Sequence, residues 1–267
     1  KEYVATGELF NTYTGWGSSY NYFPVLYAIT GFISGLTGLD VSVVMPKIGP
    51  IFGGLTVLLF FFVVKEITGN KKIALLYSMI LADLPFHVYQ TSHTYPLTVG
   101  HFFMMLSFLL FLKYRRNLLF VFPLIISTML LIMSHHLTTY FYLVSLIMIV
   151  FVENAVRRDW TEHLKKDVFY IFTASILIFS YWAFIAIPVY EGFMRNNIAF
   201  GPLELGNNSA IFLFYSLFAG SFFLIWLKRR LNVFVEKKEP SIKHSIKRFL
   251  IIFFSGLSLM LTFYFIK

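Results

Sequence analysis

Cysteine is absent from all 267 residues, which excludes a disulfide framework and any thiolate metal or redox centre. Acidic residues are scarce: 13 Asp and Glu stand against 22 Lys and Arg, a net charge of +9 with histidine neutral. Charged side chains of both signs reach only 13%, about half the share of an average soluble domain. No P-loop, glycine-rich phosphate cradle or Ser-His-Asp order is visible. No signal-peptide pattern opens the chain at Lys1, and Lys267 closes it directly after an apolar run, as expected of a piece cut from a longer protein.

What is present is apolar. Hydrophobic residues make up 58% of the chain, phenylalanine alone occurs 33 times, and the mean hydropathy is +0.73. A water-soluble core of this length cannot hide so much apolar surface, so lipid must cover the remainder. The basic residues are scattered through short connections rather than gathered in one patch, which disfavours a nucleic-acid partner and suits loops facing an anionic bilayer surface.

Long apolar runs with charged boundaries predict an all-α, polytopic transmembrane bundle of about eight spans. The expected spans are Val41–Val64, Ile73–His87, Pro96–Leu112, Leu118–Ser134, Thr139–Val152, Val168–Pro188, Ala210–Leu227 and Phe249–Ile266. Helices are the default because lipid offers no hydrogen bonds to an open backbone, and the alternation of barrel strands is missing. Lys65, Lys71 and Lys72 share one connection. Lys113, Arg115 and Arg116 fall two spans later, then Arg157, Arg158, Lys165 and Lys166, then the stretch Lys228 to Arg248. The intervening connections hold a single Lys or Arg, Arg195. Basic loops are expected in the cytoplasm, so the first span runs from outside to inside. Residues 1–40 then form an outward loop, with Tyr22–Leu36 as an interfacial helix along the outer leaflet, and residues 41–267 form the bundle; the alternative, Tyr22–Leu36 as a further span, would put Lys1–Tyr20 inside and break the pattern.

Polar residues crowd the outward helix ends, where chemistry is sought first. Asp83, His87, Gln90, His93 and Tyr95 border the second outward loop, and His101 lies a turn into the next helix. Ser134, His135, His136, Thr138 and Thr139 form the third outward loop. Lys47 stands between Pro46 and Pro50, and Glu191, Arg195, Asn196, Asn197 and Glu204 mark the last outward loop. Each has a plainer role available: His101 can bridge two helices, Lys47 can snorkel to the interface, and the tyrosines and tryptophans suit an interfacial belt. On a helix the adjacent His135 and His136 diverge by about 100°, a poor pair for one metal ion. No confident metal ligand set emerges, and a divalent ion such as magnesium or manganese stays open as a cofactor.

Several stretches resemble the GT-C superfamily of polyprenyl-phosphate-sugar-dependent glycosyltransferases, which includes the protein mannosyltransferases and oligosaccharyltransferase catalytic subunits. They are Tyr22-Phe-Pro-Val-Leu-Tyr27, Gly38-Leu-Asp40, Pro46-Lys-Ile-Gly-Pro-Ile-Phe-Gly-Gly-Leu-Thr-Val-Leu58, Lys65-Glu-Ile-Thr-Gly-Asn70 and Leu84-Pro-Phe-His-Val-Tyr89. Ser134-His-His-Leu-Thr-Thr-Tyr140 is similar to archaeal members. The likeness covers residues 1–115, and beyond that stretch it is one of topology. It implies transfer of a sugar from a polyprenyl (dolichyl or undecaprenyl) phosphate carrier to a protein or lipid acceptor at the outer face of a prokaryotic plasma membrane. It also implies a catalytic carboxylate in a loop preceding Lys1, with Asp83 the weak candidate within the chain. Lys47, His87, Gln90, His93, Tyr95, His135, His136 and Arg195 would bind phosphate or sugar. Two other classes remain: a transporter or lipid-carrier flippase, which predicts polar residues at mid-bilayer depth, and a non-catalytic subunit of a membrane complex.

Overall fold

Asp40 and Asn70 mark the start of consecutive helices because each side chain accepts a hydrogen bond from the backbone two residues on: Ser42 N to Asp40 at 2.8 Å, Lys72 N to Asn70 at 2.9 Å. Gly38 and Gly69 close the preceding helices with φ of 70° and 66°, left-handed values at which a side chain is strained. The computed structural model describes residues 18–157, 162–195, 197–200 and 203–206. In chain order it has a 3-10 turn at Ser18–Tyr22, then α1 (Val25–Thr37), α2 (Val41–Thr68), α3 (Lys71–Asp83) and α4 (Pro85–Ser92). α5 (Pro96–Arg116) follows, then a 3-10 turn at Leu118–Phe120, α6 (Val121–Ile132), α7 (His136–Arg157), α8 (Glu162–Phe184) and α9 (Ile187–Arg195). A small antiparallel hairpin pairs β1 (Asn197–Phe200) with β2 (Leu203–Gly206), the departure from an all-helical chain among the described residues.

Three helices are long and apolar enough to cross a membrane: Val41–Thr68, Pro96–Arg116 and Leu164–Phe184. At 1.5 Å per residue, the 28 residues of α2 reach about 42 Å and the 21 of α5 about 31 Å. The expected spans Ala210–Leu227 and Phe249–Ile266 lie outside the described residues, so the count of eight is not established. The second expected span, Ile73–His87, is corrected. Leu84 adopts extended backbone before Pro85, so α3 ends at Asp83 after 13 residues and α4 starts afresh. His87 is therefore on a separate short helix. The sixth expected span also stops early, at Phe184, with Ile187–Arg195 as its own helix. The fifth begins earlier than expected, at His136.

α5 is the centre of the bundle, packed against α2 and α6 along its length and touching α7 and α8. Val99, Phe103, Phe108 and Phe111 of α5 meet Ile48 of α2, Leu124 and Leu131 of α6, and Tyr142 and Leu146 of α7 in one apolar core. A second cluster surrounds Phe23, fully buried just before α1, with Ile132, Leu143, Ile178 and Trp182. The Tyr181 hydroxyl donates to the Tyr22 carbonyl at 2.6 Å, tying the N-terminal turn to α8. Outward-facing Phe32, Leu76, Met79, Phe122 and Phe184 present the apolar exterior that lipid covers.

Ion pairs gather the opposite ends. Arg115 of α5 grips Asp167 of α8 through two hydrogen bonds, 2.8 and 2.6 Å, and Arg116 pairs with Glu66 of α2. These contacts bring Lys65, Lys71, Lys72, Lys113, Lys165 and Lys166 to one end of the bundle, the basic end. The histidines from the intervening connections lie at the other.

Candidate functional site

Close backbone approach builds the histidine end. A Cβ at Gly53 would stand 2.4 Å from the Thr91 side chain, and one at Gly49 2.9 Å from the His93 carbonyl oxygen. Glycines one turn apart on α2 thus receive residues 91–93 at backbone distance. Thr94 donates to the Met45 carbonyl at 2.9 Å, next to the stretch where Pro46 and Pro50 withdraw backbone donors from α2. Thr98 donates to the Gln90 carbonyl at 2.8 Å and fastens α4 to α5. Gly100 of α5 does the same for the third connection: its Cβ would meet Thr138 Oγ1 at 2.4 Å and His135 Cβ at 3.1 Å.

Four histidines converge there from α4, α5 and the turn that opens α7. His87 of α4 hydrogen-bonds the backbone of Gly53. His101 of α5 lies within electrostatic reach of His87, and His135 within reach of both His101 and His136. The rings of His135 and His136 are 4.8 Å apart between centroids, tilted by 31°. They are near neighbours rather than divergent, because His135 precedes the helix and His136 begins it. Thr138 and Thr139 both donate to the His135 carbonyl, at 3.0 and 2.8 Å, which fixes this turn. The N-terminal turn covers the pair: Tyr20 lies 6.3 Å from His135 and Phe23 5.3 Å from His136, ring to ring. His136 Nδ1 is buried with no hydrogen-bond partner among the described residues. Burial pushes the imidazole of His87 below its ordinary value of 6.5, opposed by its bond to Gly53. Burial pushes His135 well below that value too, helped by His136 and His101. Both rings are therefore neutral at pH 7, offering an N–H donor and a lone pair rather than a cation.

The other expected site residues fall differently. Gln90 of α4 is buried. His93 is exposed, bonded to Ser92 and the Tyr89 carbonyl, and stacks on exposed Tyr95 with centroids 5.6 Å apart. Lys47 is exposed on the second turn of α2, and Asp83 is exposed at the last residue of α3. Arg195 ends α9, while Asn196 lies outside the described residues. Among the described residues no three His, Cys, Asp or Glu side chains form a group able to hold a metal ion. His101, Tyr20 and Phe23 join the cluster although sequence reading gave His101 a bridging role and Tyr20 an interfacial one. A signal for His101 was present: it follows Gly100, the residue that admits the third connection.

Comparisons with protein families, with curated proteins and with solved structures find no match to this chain.

Proposed function

We propose that the chain is the membrane module of a GT-C-type glycosyltransferase, moving a sugar from a polyprenyl-phosphate carrier to a protein or lipid acceptor at the membrane face that holds the histidines. The observation that carries this reading is the gathering of His87, His101, His135 and His136 from α4, α5 and the start of α7 at one end of the bundle, opposite the basic end. A donor amphiphile presents its tail to lipid and its sugar phosphate to such an end. Imidazole N–H groups and the Gln90 side chain would hydrogen-bond phosphate or sugar oxygens, and Lys47 on the same end of α2 would add the charge that neutral histidines lack. Among the described residues no carboxylate contributes to the electrostatics of His87, His101, His135 or His136. The base that takes the acceptor proton would therefore come from outside this cluster. The positive-inside distribution makes the histidine end the outer one.

The full-length protein in proteoliposomes, supplied with polyprenyl-phosphate sugars and a labelled acceptor, is expected to transfer sugar. His135→Ala and Lys47→Ala are each expected to lower turnover at least about tenfold, a loss of roughly 1.4 kcal/mol of transition-state stabilisation. Unchanged turnover in both variants would remove the site assignment, and no transfer from any such donor would remove the reaction.

One observation favours a second reading, a transporter or flippase. Hydroxyl groups are buried deep in the bundle: Ser107 with Ser127 at 2.8 Å, and Tyr170 with both Thr128 and Tyr142 at 2.6 Å. Polar groups at that depth can line a path as well as join helices. Lipid-phosphate movement across proteoliposomes without sugar transfer would decide for it.

A further inference from the structure

At the basic end two carboxylates, Asp167 and Glu66, are already committed. Asp167 is 2% exposed and held by both arms of Arg115, while Glu66 pairs with Arg116. Among the described residues neither Lys65, Lys71, Lys72 nor Lys113 has a carboxylate partner. The Glu66–Arg116 pair joins the last turns of α2 and α5, so Lys65 and Lys113 come from those two turns. Lys71 and Lys72 follow α2 directly through Gly69 and Asn70 and open α3. Lys113 does not extend freely; its ammonium rests 5.6 Å from the centre of the Phe120 ring. Four cations from three helix ends therefore stand around the end of α2, against which both α3 and α5 pack.

Apolar surface begins within a turn of these charges. Ile73, Leu75 and Leu76 are exposed on α3, and Leu118, Leu119 and Phe122 on the corner between α5 and α6. A soluble polyanion would satisfy the lysines and leave those side chains uncovered. An anionic amphiphile satisfies both. α3 adds a reason for a bound molecule here. Its 13 residues reach about 20 Å, short of the roughly 30 Å hydrocarbon core, so it leaves room along the side of α2.

We infer that the basic end carries a site for one anionic phospholipid, its headgroup phosphate between Lys65, Lys71, Lys72 and Lys113 and its acyl chains along α3 and the α5–α6 corner. The site is independent of the chemistry at the histidine end. Its selectivity is for net negative headgroups, because a zwitterionic headgroup brings its own ammonium among the lysines. A juxtamembrane lysine contributes about fivefold to binding of an anionic surface.

The test is lipid retention by the purified full chain in a neutral detergent, read by native mass spectrometry in mixed micelles of phosphatidylglycerol or phosphatidylcholine. One phosphatidylglycerol is expected to remain bound under conditions that strip phosphatidylcholine. The Lys71→Gln/Lys72→Gln/Lys113→Gln variant is expected to weaken retention about a hundredfold, with its thermal midpoint in phosphatidylcholine unchanged. Lys165→Gln/Lys166→Gln, on the other flank of the same end, is expected to retain the lipid. Equal retention of the two lipids would overturn the site. So would equal loss in the two variants, which means diffuse charge, or displacement by millimolar inorganic phosphate. Should the triple variant fail to fold, the three single substitutions decide: about fivefold weakening from each supports the site, and no effect from any overturns it.

Discussion

Gly100 leaves no space for a methyl group, since Thr138 Oγ1 would be 2.4 Å from it. Gly54, on the neighbouring α2, has nothing within 4 Å of the same position. Gly100→Ala is therefore expected to cost about 1–3 kcal/mol by pushing the third connection off α5. Gly54→Ala is expected to be neutral or to gain up to about 1 kcal/mol from helix propensity. Detergent-denaturation curves of the two variants check the contrast. The histidines supply a pH dependence whose sign is fixed. In the folded chain His87 and His135 resist protonation, so as pH falls through 6.5 the unfolded chain takes up protons that the folded one does not. Stability present above pH 6.5 is expected to decline steadily below it. His87→Gln, which keeps a donor for Gly53, is expected to flatten part of that slope in thermal midpoints measured from pH 8 to 5. Residue types and their helix ends are visible in a linear sequence, which is why His87, His135 and His136 could be named from it. The burial that makes them neutral is not visible, because it depends on Gly53 and Gly100 admitting other segments at backbone distance.

Helices α6, α7 and α8 meet at a buried clasp of three hydroxyls, with Tyr170 of α8 bonded to Thr128 of α6 and to Tyr142 of α7. Tyr170→Phe removes a hydrogen-bond partner of the fully buried Tyr142 hydroxyl and is expected to cost about 1–3 kcal/mol. Tyr142→Phe/Tyr170→Phe removes both hydroxyls together and is expected to cost less than the sum of the single changes, a coupling that a double-mutant cycle measures. Among the elements, α2 and α5 were legible because long apolar runs end in Lys65 or Lys113 to Arg116, and hydropathy detects that boundary. The break at Leu84 was not. Leu84 and Phe86 flanking Pro85 look apolar, and a hydropathy average does not register that proline disfavours helical backbone in the preceding residue. The same blindness extended the sixth expected span through Ile185 to Pro188, past the helix end at Phe184. The caps at Asp40 and Asn70 were available as signals and fix where α2 and α3 start.

Across the whole molecule the two ends differ in chemistry. One gathers imidazoles, two of them against the aromatic rings of Tyr20 and Phe23, and the other gathers lysines beside two committed ion pairs. That division follows from the alternation of basic and base-poor connections along the chain, because successive helices return to opposite ends. In the proposed glycosyltransferase the lipid-phosphate donor would sit at the histidine end. A photoreactive polyprenyl phosphate, crosslinked to the full-length protein in proteoliposomes and mapped by peptide mass spectrometry, tests that placement most directly. Crosslinks are expected on residues 85–101 and 134–140, and they are expected to be displaced by unlabelled polyprenyl-phosphate sugar. Crosslinks confined to the basic end, or spread evenly over the lipid-facing helices and indifferent to competitor, would contradict it.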